Sequence, residues 1–343
     1  MYKEQKYGIT FSIDPRTELI FGMLSKLKKE NTKLEEELDF IECFDNNYYS
    51  EYANKIYGLI DFNKYPKLLK WTVKLSQVPS CDIVPNITMM ISENFQTKEN
   101  VEGNEYFNKF FNSIEEYKRF ISDINEFVDQ EDYLKFYKSN FDEYNRMIDE
   151  STTIYPSNMN IKDMEEYYGN QLNKYPVIYS IFFNGGFGPI VDGIPTCFKG
   201  LWIDENGKYI ESTTGVLNLF HEYSHPFINP LVDKYWDRFE NIEKFINYSI
   251  QNNLHKTYQQ KPQTLYYEYF VRAMAYIMTS KYINCEEELE NYNKLGFVES
   301  EKIIDFITNN YEISTNFEKF FANKLIPFTN GLMNNLEYGK TKK

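Results

Sequence analysis

From about residue 15 to about residue 150, apolar side chains recur mostly at helical spacing. Ahead of this region, "YGITFSI", Tyr7 to Ile13, predicts a strand closed by "DPR". Asp14 then caps a helix with Pro15 at its first position. Leu24, Leu27, Leu34, Leu38 and Ile41 keep an a/d spacing, but Asn31 falls at one a position. Thr32 with Glu35 makes a capping box, so the pattern predicts two amphipathic helices with a break near Glu30–Thr32. A second capping box stands at Ser113 and Glu116. "PSCDIVPNITMMIS", Pro79 to Ser92, reads as a strand, and the acidic run from Asp123 to Asp132 as a solvated helix face.

The texture changes near residue 151, where "STTIYPSNMN" is loop-like. "PVIYSIFFNGGFGPIV", Pro176 to Val191, predicts a strand interrupted at Gly185 and Gly186. Tyr179 to Asn184 is expected to form a sheet edge lining a cleft, with the glycine pair letting a substrate backbone come close. Asn206–Gly207 is a type I′ hairpin signal between Leu201–Asp204 and Lys208–Glu211. Ser212, Thr213 or Thr214 can cap the helix that follows, and the C-terminal region is helical.

That helix carries "VLNLFHEYSHPFINP", Val216 to Pro230, and two of the three histidines of the chain. His221 and His225 are four residues apart, so their rings stack on one helical face and can reach one cation. Glu222 is turned about 100° from His221, where it can accept a proton from a water at that cation. Val216, Leu217 and Phe220 give the helix its apolar side. Pro226 removes a backbone donor, so the helix is expected to kink or end there.

A catalytic zinc takes three protein ligands and leaves one position open. The longer H-E-x-x-H-x-x-G-x-x-H pattern fails, because Ile228 and Leu231 stand at its last two fixed positions. His255 and Glu268 are the candidates. His255 lies in the polar stretch "NNLHKTYQQKP", which reads as a loop. Glu268 lies in "TLYYEYFVRAMAYIM", Thr264 to Met278, a helix whose apolar surroundings make a carboxylate costly unless it is paired or metal-bound. Arg272, one turn on, is its alternative partner. A rigid helix holds a ligand better than a loop, which favours Glu268.

The H-E-x-x-H segment with a downstream helical glutamate resembles the gluzincin metallopeptidases. More narrowly, "FHEYSHPFINP", "YYEYFVRAMAY" and the early "SIDPRTEL" resemble a microbial family, domain of unknown function 4932, regarded as predicted zinc metallopeptidases. The resemblance implies zinc bound by His221, His225 and Glu268, with Glu222 as the catalytic residue. The chain departs from the better-known gluzincins at Arg272, where an aspartate often supports a histidine.

The expected fold is α+β and zincin-like, predominantly helical, with a small sheet lobe and a helical lobe around the H-E-x-x-H helix. A mainly helical region over 1–150 would precede a catalytic region over 151–343, with a sheet edge at 176–211 and the histidine helix at 213–225; one continuous domain fits the pattern as well. The expected activity is zinc-dependent peptide hydrolysis with Glu222 as general base. A zinc hydrolase of another amide or ester, and a zinc-stabilised binding protein, are the alternatives. His255, Tyr267 and Tyr292 are candidate donors to the oxyanion.

Composition narrows the partners. Aromatic residues make up 18% of the chain, far too many for a disordered one. A net charge of −14 repels phosphate backbones and anionic lipid, so a peptide or protein substrate is expected and neither nucleic acid nor membrane is. No apolar run spans a bilayer, and the start has no signal-peptide core. That predicts a cytoplasmic protein, or an exported one whose leader has been removed. Cys43, Cys81, Cys197 and Cys285 stand singly, without the spacing of a thiolate zinc site.

Overall fold

The computed structural model describes residues 1–30, 41–44, 50–78, 82–212, 214–254, 256–259 and 262–335. It is predominantly helical α+β, with one five-stranded mixed sheet and two short hairpins. The chain divides into two compact units, each made of two segments: residues 1–155 with 174–213, and residues 156–173 with 214–343. The crossing at Tyr155 lies close to the change of texture near residue 151, but the chain returns to the first unit before the histidine helix begins.

The sheet of the first unit contains β1 (Tyr2–Lys6), β2 (Ile9–Ile13), β3 (Pro176–Ser180), β4 (Gly186–Phe187) and β7 (Cys197–Gly200), in the order β1-β2-β3-β7-β4. β2, β3 and β7 run parallel, and both outer strands are antiparallel to their neighbours. Tyr7 belongs to a turn and not to the expected strand: Tyr7 and Gly8 have φ of 58° and 78°, the left-handed pair of a two-residue hairpin. β1, "YKEQK", is polar and half-exposed, which hid it in the sequence.

The expected edge at Tyr179–Asn184 is also corrected. Tyr179 pairs with Ile13 on one side and Lys199 on the other, so β3 is central and offers no free edge. Gly186 is itself paired with Lys199. A Cβ at Gly200 would lie 2.1 Å from the Phe183 carbonyl oxygen, so this close crossing excludes any larger residue. The Lys199 ammonium pairs with buried Glu211, whose other oxygen accepts from Tyr155 at 2.7 Å and Tyr179 at 2.6 Å.

The smaller hairpins are β5 (Ile190–Val191) with β6 (Ile194–Pro195), and β8 (Trp202–Ile203) with β9 (Tyr209–Ile210). The second is the expected hairpin with a different turn. Asp204 N–H donates to the Lys208 carbonyl at 3.0 Å across a three-residue loop, and only Gly207 is left-handed, at φ 77°. The Asp204 carboxylate accepts from the N–H groups of Asn206 and Lys208, each at 2.8 Å, which favours this loop over a type I′ turn.

Local helix signals are realised in part. Asp14 accepts from the Arg16 backbone N–H at 2.8 Å and opens the helix Pro15–Glu30. The second expected helix, with the Thr32–Glu35 box, lies outside the described residues. Ser113 caps Ile114–Gln130 by accepting from the Glu116 N–H, but Glu116 reaches back to Asn112 and not to Ser113. The expected strand at Pro79–Ser92 is instead a helix, Ile83–Met89, buried on every side. An apolar run without polar spacing looks the same to either period, and Pro85 falls in the first turn, where its missing donor costs nothing.

Glu18, on the first helix, is fully buried, with the Ser180 and Tyr52 hydroxyls as its polar neighbours and, among the described residues, no hydrogen bond of full geometry to either oxygen. Burial, with a smaller contribution from the Asp14 charge, pushes its pKa from 4.5 up to about 8. Between those values the folded state keeps a proton that the unfolded chain has released. Stability therefore falls as pH rises through this window, by about 1.4 kcal/mol per pH unit at most. Glu18→Gln removes the titration and should melt several degrees above the parent at pH 8, with little difference at pH 4.5. Equal offsets at the two pH values would show that Glu18 is ionised in the fold.

In the second unit the histidine helix runs Gly215–Lys234 and packs on a second long helix, Pro262–Thr279. The expected stop at Pro226 does not occur, and the helix passes through both Pro226 and Pro230. The prolines are four residues apart, so their missing donors fall on one side and leave the rest of the ladder intact. Burial of Phe227, Ile228 and Val232 holds the second half in place. Tyr168 stacks on Phe227 with ring centroids 4.3 Å apart and donates to Ser224 at 2.9 Å, fixing the turn that carries both histidines.

Candidate metal centre

The helical period places His221 and His225 one turn apart, with their rings edge to face and their Nε2 atoms 3.2 Å apart. Two nitrogens bound to one zinc at about 2.0–2.1 Å in tetrahedral geometry stand about 3.3 Å apart. The second long helix brings Glu268 against them. Its Oε2 is 3.6 Å from His221 Nε2, and its Oε1 is 3.7 Å from His225 Nε2. All three residues offer donor atoms within 4.8 Å of one another, close enough to hold one metal ion.

Electrostatics agree with the distances. Two imidazole nitrogens facing each other at 3.2 Å need either a shared proton or a cation between them. Burial, then the His225 ring and the Arg272 guanidinium, hold the His221 pKa well below its usual range, so His221 is neutral and able to donate a lone pair. Asn229 Oδ1, one turn beyond His225, lies 3.2 Å from His225 Nδ1. A carbonyl oxygen only accepts, so this contact favours the tautomer with Nδ1–H, which leaves Nε2 to face His221. The residues present therefore fit a divalent cation with three protein ligands.

Asn229 is not among the residues expected from the sequence, although its i+4 spacing from His225 is visible there. Glu268 faces both of the partners that were weighed against each other. Arg272 Nη2 donates to Glu268 Oε2 at 3.0 Å, while the same carboxylate faces the histidines. Glu222 is buried on the histidine helix. Tyr258, in the 3₁₀ turn Lys256–Gln259, takes a 3.4 Å contact from Arg272 Nη2. Burial and the charges of Glu268 and Glu222 push the Tyr258 phenol up to about 12, which places both carboxylates within electrostatic reach of it.

The other proposed donors fare differently. Tyr267 donates to Asp233, and the Tyr292 hydroxyl donates to the Arg272 backbone carbonyl at 3.4 Å. His255 lies outside the described residues. Among the described residues Cys43, Cys197 and Cys285 form no disulfide and take no part in the cluster, and Cys81 lies outside the described residues.

The family model described as "Domain of unknown function (DUF4932)" matches residues 94–322, well over half of the chain. The chain belongs to this family. The matched segment contains the histidine helix, Glu268 and Arg272, while "SIDPRTEL" lies before it. No curated protein and no solved structure matches the chain. Among the described residues, no helix is long and apolar enough to cross a membrane.

Proposed function

We propose that this DUF4932 protein is a zinc-dependent peptidase of the gluzincin type, with a zincin-like second unit. The observation that carries the reading is the convergence of His221 and His225 with Glu268 of the second long helix, with Glu222 adjacent to His221 in the chain. Two imidazoles and one carboxylate are a zinc ligand set of catalytic type, because three protein donors leave a fourth position open. A zinc ion held there would supply Lewis acidity toward the attacking water and the scissile carbonyl.

The chain's own residues supply the rest. Glu222 takes a proton from the attacking water as the C–O bond forms, and returns it to the nitrogen as the C–N bond breaks. Asn229 holds His225 in the tautomer that presents Nε2. A closed structural site would need no base, so Glu222 supports turnover over a binding role.

The test is hydrolysis of a mixed peptide library by metal-free and zinc-restored protein, with small amides and esters run in parallel. Peptide cleavage that appears only with metal is the expected result. Cleavage of small amides or esters alone would move the reading to a non-peptide hydrolase. Stoichiometric zinc with no turnover on any of them would make it a binding protein.

A further inference from the structure

A structural arginine in this chain has its donors filled. Arg16 spends Nε and Nη2 on Asp14 and Nη1 on the Ile91 carbonyl. Arg272 differs. Among the described residues only its Nη2 is engaged, by Glu268 and Tyr258, and its Nε is buried without an acceptor. The side chain is 15% exposed, and its guanidinium is held by rings, 4.4 Å from the Phe297 centroid and 5.5 Å from that of Tyr292. The group is thus fixed in direction, with donors to spare.

Its charge is misplaced for a residue that only anchors a ligand. A neutral donor would orient Glu268 equally well. A cation there must share the single charge of Glu268 with a divalent metal, and the two cations repel each other across it. That repulsion is relieved when negative charge develops next to both, which is the condition for stabilising a transition state more than the ground state.

Resting on the zinc reading above, we propose that Arg272 is an anion-binding catalytic residue of the site, whose Nη1 N–H groups meet the substrate oxygen that becomes negative during attack. The competing role is that of a positioning residue for Glu268. The two roles predict opposite effects on the metal. Losing a group that orients a ligand costs about 10–100-fold in metal affinity. Losing a neighbouring cation leaves the affinity unchanged or raises it.

The experiment uses the full chain with Arg272→Met, which fills the slot between Phe297 and Tyr292 without charge, and Arg272→Lys, which keeps the charge. Zinc affinity is read by competition with a chromogenic chelator. Anion affinity is read from the visible spectrum of the cobalt-substituted protein titrated with inorganic phosphate. The expected result is zinc bound by Arg272→Met at least as tightly as by the parent, phosphate bound about tenfold or more weakly, and phosphate binding largely restored in Arg272→Lys. Zinc affinity lowered tenfold or more with phosphate affinity unchanged would overturn the proposal and leave Arg272 a positioning residue. If Arg272→Met does not fold, phosphate affinity in Arg272→Lys equal to that of Arg272→Gln decides against it. A parent that binds no zinc sinks the metal reading itself, a separate failure visible before any variant is made.

Discussion

Glu268→Ala is expected to lose its zinc during dialysis against a weak chelator, while His255→Ala keeps it. Structural zinc sites bind with free energies of about 10–16 kcal/mol shared among four donors, so one missing donor lowers affinity by about two to three orders of magnitude. Glu268 Oε2 and Oε1 face the two histidine Nε2 atoms at 3.6 and 3.7 Å, which puts the carboxylate within reach of the same ion. The alanine also leaves Arg272 buried without its 3.0 Å partner, a loss of about 3–5 kcal/mol in stability. Glu268→Gln is therefore the companion variant: its amide oxygen still accepts from Arg272, but it offers the metal no charge. Both should release zinc, and only the alanine should also melt early. If His255→Ala releases the metal and Glu268→Ala retains it, the ligand set is wrong and the gluzincin reading goes with it.

The second large effect falls on turnover alone. Glu222→Gln has the same shape and keeps the helix, so zinc content and melting temperature should stay near those of the parent. Its amide cannot take a proton from water, and the expected loss in kcat is about 10²–10⁴-fold. KM should change little, because the residue acts on the attacking water more than on substrate binding. Near-parental turnover by zinc-loaded Glu222→Gln would remove this residue from the mechanism, leaving the metal site in place.

The histidine pair of the candidate cluster was legible because its geometry is local. His221 and His225 share a helix, and i,i+4 spacing fixes their relation whatever the rest of the chain does. Glu268, which the fold brings against the histidines, stood out through a conflict, a carboxylate in an apolar helix. Asp14, Ser113 and the hairpin around Gly207 were legible because a cap or a turn needs only its immediate neighbours. What escaped depends on distant chain. β3 proved central only because β2 and β7 flank it, and nothing in "PVIYS" distinguishes an edge from a centre. The helix at Ile83–Met89 and the continuation through Pro226 and Pro230 were decided by burial, which overrides period and propensity. Tyr258, one of 30 tyrosines, carries no local mark at all.

X-ray absorption at the zinc edge of the zinc-loaded protein tests the central claim most directly. The chain has three histidines, so the count of imidazoles distinguishes the alternatives. The account predicts two imidazole nitrogens at about 2.0–2.1 Å and carboxylate oxygen in the same shell, with no sulfur. A third imidazole would place His255 in the site in contradiction to Glu268, and sulfur scattering would mean that the metal is held elsewhere in the chain.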